Sequence, residues 1–131
     1  MVERTEAQFN EFEGEVVDVQ LEEPTKKGMS QQYHLQMKPS TKEIKGKTGL
    51  LHTWIRLTDT CTETSVPRGS VIDRYMEALE DIHGEDVKEL KTIQEVFEFM
   101  KGKSYLFKTK VLGRAFQGHE PSEYWVPVKT V

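Results

Sequence analysis

Gln31-Gln32-Tyr33-His34-Leu35-Gln36-Met37-Lys38 decides the fold class, because from Gln32 onward polar and apolar residues alternate without a break. Residues two apart share one face of a strand. Tyr33, Leu35 and Met37 therefore point one way, and Gln32, His34, Gln36 and Lys38 the other. Pro39 cannot donate to a ladder and ends the strand. After a lysine- and glycine-bearing loop over 39–49, residues 50–58 repeat the pattern. Leu51, Thr53, Ile55 and Leu57 face in, and His52, Trp54 and Arg56 face out.

Upstream, 12–21 (Phe-Glu-Gly-Glu-Val-Val-Asp-Val-Gln-Leu) reads as a first strand with Val17, Val19 and Leu21 on one face and Gly14 marking a bulge or bend. Residues 1–11 are polar and expected to fray, and 22–30 form a loop with Pro24 and Gly28. Downstream the period changes. Ser70 with Asp73 three residues later, and Thr92 with Glu95, are capping-box signals. Behind the first, Ile72, Tyr75, Met76, Leu79 and Ile82 recur at helical spacing up to Gly84. Behind the second, Ile93, Val96, Phe97 and Met100 do so up to Gly102, and 85–91 is expected to be a charged connection. Phe99 lies off that stripe. Strand alternation returns at 103–112, with Tyr105, Phe107, Thr109 and Val111 on one face. A last strand over 123–129 contains Pro127, which places it at an edge or a bulge. Tyr124 and Trp125 point opposite ways, so one is buried and the other exposed or covered by another element.

A length of 131 residues predicts one domain, 1–131, with the helical insert at 69–101. No apolar run approaches the ~20 residues of a membrane span, and Met1 to Glu6 contain no apolar leader. The plain expectation is a cytoplasmic protein with no membrane partner. The single cysteine, Cys61, excludes an internal disulfide framework and has no base in its segment. There is no phosphate-binding P-loop and no G-x-G-x-x-G turn. His34 and His52 alone are too few ligands for a metal, and no neighbouring carboxylate is evident in the sequence. A non-catalytic protein without cofactor or metal is expected.

Charge is unevenly placed. The chain totals −4, yet residues 24–56 carry seven Lys or Arg against the single acid Glu43, a segment charge of +6. Residues 1–23 carry −7, 57–101 carry −6 and 102–131 carry +3. Positive charge gathered in one segment of an acidic protein marks a local anion-binding surface. Here it coincides with the strands whose outward positions include His34, Lys38, His52, Trp54 and Arg56. Cations meet phosphates and flat rings stack on bases, so this combination suits single-stranded nucleic acid.

Three strands, a helical insert and two strands is an element order that resembles the OB-fold, over about residues 12–129. Within that class the chain is similar to small single-stranded-DNA-binding proteins of the archaeal replication protein A and phage type. The resemblance implies a five-stranded Greek-key barrel with a two-helix insert between strands three and four, which binds oligonucleotides on strands two and three and the adjoining loops. The candidate nucleic-acid-binding residues are Trp54, Arg56, His52, His34, Lys38, Lys42, Lys45, Lys47, Arg114 and Phe116. Lys26, Lys27 and His119 lie in adjoining loops, and Lys108 and Lys110 could extend the basic track. The expected partner is single-stranded DNA or RNA. The alternative is a protein-interaction module, or a homo-oligomer, that docks through the acidic helices.

Overall fold

The computed structural model describes residues 11–23, 31–40, 49–58, 61–112 and 123–131. The elements run β1 (Glu11–Glu22), β2 (Gln32–Pro39), β3 (Leu51–Arg56), α1 (Val71–His83), α2 (Glu85–Lys88), α3 (Ile93–Met100), β4 (Ser104–Val111) and β5 (Glu123–Thr130). The strands make one antiparallel sheet in the order β3-β2-β1-β4-β5.

β1 is central because it serves two partners. Glu11–Glu15 pair with β4, and Gly14–Glu22 pair with β2. A strand shared this way has to bend, and the bend comes from a bulge. Val16 opposes Met37 and Asp18 opposes Gln36, which leaves Val17 with no opposite residue. The bulge is therefore at Val17 and not at Gly14. It also takes Val17 out of the face expected for Val17, Val19 and Leu21, whereas Val19 and Leu21 do share one, opposite the inward residues Leu35 and Tyr33. Phe12, Gly14 and Val16 point inward before the slip and Val19 after it, while Val17 is half-buried and Leu21 exposed. Gly14 is needed for another reason: a Cβ there would lie 2.8 Å from the Phe12 ring and 2.9 Å from the Lys38 carbonyl.

β3 and β5 are the two edges of the sheet. They come within 8 Å of each other at Cα, but among the described residues no ladder joins them. The expected closed barrel is thus an open sheet on this side. α1 packs against both edges, and the Tyr75 hydroxyl donates to the Trp125 carbonyl at 2.9 Å, satisfying an acceptor on β5. Pro127 sits on this edge strand beside a register slip between Leu106 and Phe107, two settings that spare its missing N–H.

The insert begins and ends where the caps predict. The Ser70 hydroxyl accepts from the Asp73 N–H at 3.2 Å, and the Asp73 carboxylate accepts from the Gly69 N–H at 2.7 Å. Thr92 accepts from the Glu95 N–H at 3.1 Å. Gly84 closes α1 at φ 60, where an L side chain is disfavoured. The connection 85–91 contains a short third helix, α2, whose Val87 is buried, so the insert has three helices rather than two.

Tyr33, Leu35, Met37, Ile55, Tyr105 and Phe107 from the sheet meet Ile72, Tyr75, Leu79, Phe97 and Met100 from the helices in one core. Phe12 stacks on Phe107 at 5.1 Å and meets Trp125 edge-on at 4.8 Å. Trp125 and Tyr124 are both half-buried, which replaces the expected split between them. Phe99 is half-buried, with its ring against His83 and beneath the Lys103 ammonium. Tyr33 is 2 % exposed and stacks on Phe97, but its hydroxyl has no hydrogen-bond partner among the described residues. Burial, with Glu63 second, pushes its pKa up to about 12.

Candidate functional site

Register builds the site. On the outward face, Gln20, His34 and Trp54 form one cross-strand row. Asp18, Gln36 and His52 form the row on one side of it, and Glu22, Gln32 and Arg56 the row on the other. Directly opposed and diagonal side chains on one face of a sheet are within reach of each other. The rings of His34, His52 and Trp54 therefore meet, although they are far apart along the chain.

The three rings are nearly parallel. Trp54 lies 4.6 Å from His34 at 12° and 5.6 Å from His52 at 14°. His34 Nε2 and His52 Nδ1 are hydrogen-bonded at 2.7 Å. The 4.9 Å between their centroids is the separation that an in-plane bond between two ring nitrogens produces. The imidazoles therefore lie side by side, and the indole rests across both. Trp54 is 44 % exposed. The His34 side chain, beneath it, is 11 % exposed.

Glu22 anchors this layer. Its Oε1 lies 2.7 Å from His34 Nδ1. Spacing along the chain puts no carboxylate near the histidines. Only the β1–β2 register brings Glu22 diagonally across from His34, and the signal was a strand-end acid whose alternation puts it on the outward face.

The other predicted residues fall into three groups. Lys38 and Arg56 are exposed on the same face, Lys38 opposite Glu15 and Arg56 opposite Gln32. Lys42, Lys45 and Lys47, and Arg114 and Phe116, lie outside the described residues, as do Lys26, Lys27 and His119. Lys108 and Lys110 are exposed on β4, on the far side of β1. They do not extend a continuous basic track, because the outward residues of β1, Glu11, Glu13, Glu15, Asp18 and Glu22, come between. Lys108 is paired with Glu11 at 3.7 Å and Asp18 with Lys101 at 3.8 Å. The face is thus a strip two strands wide, with an aromatic platform, a cation at either end and an acidic border on β1.

A second polar cluster lies at the end of α1. His83 Nε2 is 2.7 Å from the Tyr105 hydroxyl. Burial first, and then the Lys103 ammonium, hold the His83 pKa below its ordinary value, with Asp86 acting against them. Burial also pushes the Cys61 thiol up, with Glu63 second, which makes it a weaker nucleophile at neutral pH. Among the described residues, no three His, Cys, Asp or Glu side chains are grouped to hold a metal, and no helix is long and apolar enough to cross a membrane. The chain matches no protein-family model and no curated protein.

Proposed function

We propose that the protein is a non-catalytic OB-type module that binds single-stranded nucleic acid, most readily DNA, along β2 and β3. The carrying observation is the Trp54 ring, half exposed and laid flat on a hydrogen-bonded histidine pair. A ring fixed from below offers its free face to a base with little further ordering to be done, and base–aromatic contacts of this kind contribute ~1–3 kcal/mol each. Arg56 and Lys38 sit where phosphates flanking that base would pass. The OB assignment is supported by the pairing scheme, with β1 between β2 and β4 and the helical insert ahead of β4. Lys42, Lys45, Lys47, Arg114 and Phe116 would contribute from the loops.

The test is fluorescence anisotropy with labelled dT, dA and duplex oligomers at two salt concentrations, with tryptophan emission followed in parallel. Salt-sensitive preference for single strands with quenching is expected. No binding at low salt, or affinity flat in salt, would refute the proposal. The acidic outward row of β1 favours a second reading, a module that docks a basic protein partner. In that case charge reversal at Lys42, Lys45 and Lys47 would leave its interactions intact.

A further inference from the structure

The Glu22–His34–His52 chain has a property that stacking alone does not require. An ionised carboxylate only accepts hydrogen bonds, so His34 Nδ1 carries a proton and donates to Glu22. With both imidazoles neutral, His34 Nε2 is then a lone pair, and His52 Nδ1 must carry the hydrogen in the 2.7 Å bond between them. His52 Nε2 is left as an acceptor, and it has no hydrogen-bond partner among the described residues.

Add one proton, and two arrangements become possible. Either His52 carries both its hydrogens, or His34 carries both and donates to His52 Nδ1. In both, His52 Nε2 bears a hydrogen. A single proton anywhere in the imidazole pair therefore converts His52 Nε2 from acceptor to donor. It also turns the net charge of the chain beneath Trp54 from that of Glu22 alone to zero.

We propose that strand binding at this platform is coupled to uptake of one proton by the Glu22–His34–His52 chain, with His52 Nε2–H donating to a phosphate oxygen beside the stacked base. This rests on the single-strand reading above. The charged and titratable groups facing the pair are consistent with it. Among the described residues they are Asp18 and Glu22 from β1, Lys38 from β2 and Arg56 from β3. Asp18 is already engaged by Lys101, the Val19 N–H and Gln20. Among the described residues Glu22 is thus the acid that bears directly on the pair, and a phosphate approaching Trp54 meets its charge until a proton compensates it.

The experiment is dT-oligomer anisotropy from about pH 8 to about pH 5.5 at constant ionic strength, for the unsubstituted protein, His52→Gln and His83→Gln. For one linked proton, affinity rises toward ~10-fold per pH unit at its steepest. His83→Gln, away from the face, should keep that slope, and His52→Gln should flatten it. Proton uptake is also read on the unsubstituted protein, from binding heats in two buffers of different ionisation enthalpy, so the outcome does not depend on how well His52→Gln folds. Measurable proton uptake on binding is expected within that pH range. Binding that is flat in pH, no proton uptake, or a slope retained in His52→Gln would overturn this coupling and leave the single-strand reading standing. No binding at any pH would overturn both.

Discussion

Trp54→Ala separates a stacking platform from a packing residue, because the two roles predict different magnitudes. A tryptophan side chain buries up to ~250 Å², and Trp54 is a little over half covered. Truncation then uncovers on the order of 100 Å², or about 2–3 kcal/mol at ~25 cal/mol/Å², as an upper bound. The partners it uncovers are imidazoles that keep their hydrogen bonds to each other and to Glu22. A domain stable by ~5–15 kcal/mol stays folded after such a loss. Binding should respond in proportion to its dependence on that ring, weakening by ~1–3 kcal/mol, or about 5- to 150-fold in Kd. The assay pairs a urea melt with dT-oligomer anisotropy on the same preparation, and Trp54→Phe should recover most of the affinity. Unchanged affinity in a folded Trp54→Ala protein would refute the platform. A variant unfolded without denaturant would show that the indole belongs to the core.

Other outcomes follow from the same geometry. Gly14→Ala should lower stability by about 1–3 kcal/mol, because the added methyl meets the Phe12 ring and the rigid Lys38 carbonyl; a thermal midpoint equal to the parent's would contradict that. Tyr33→Phe should leave the urea midpoint unchanged or raise it, since it removes a buried hydroxyl with no partner among the described residues; a clear loss would mean that the hydroxyl is satisfied in solution. The His83 pKa lies below its ordinary 6.5 in the folded state. As pH falls through 6.5, the unfolded chain takes up this proton first, and stability contributed by neutral His83 is lost between 6.5 and the folded value. The stability difference between the unsubstituted protein and His83→Gln should therefore shrink between pH ~7.5 and ~5.5, and a constant difference would count against it.

Local periodicity and capping were enough to find most of the elements. β2 and β3 show because their inward residues face a core and their outward residues face water, so polarity follows the pleat. Ser70, Gly84 and Thr92 mark helix ends because cap hydrogen bonds join residues only a few positions apart. β1 was harder. A bulge inserts one residue out of phase, and alternation counted across Val17 assigns the wrong face. α2, a single turn, is too short to establish a period.

What the sequence determined by itself is which side chains face outward on β2 and β3, and that His34, His52, Trp54, Lys38 and Arg56 are among them. The tertiary structure decided how they combine. The β2–β3 register set Trp54 across the two imidazoles, and the β1–β2 register brought Glu22 to His34. β1, lying between β2 and β4, cut the strip off from Lys108 and Lys110. The physical reason is range. A side chain's facing depends on its immediate neighbours in the chain, whereas its partners depend on strand pairing between distant residues, where a shift of one position changes every contact on the face.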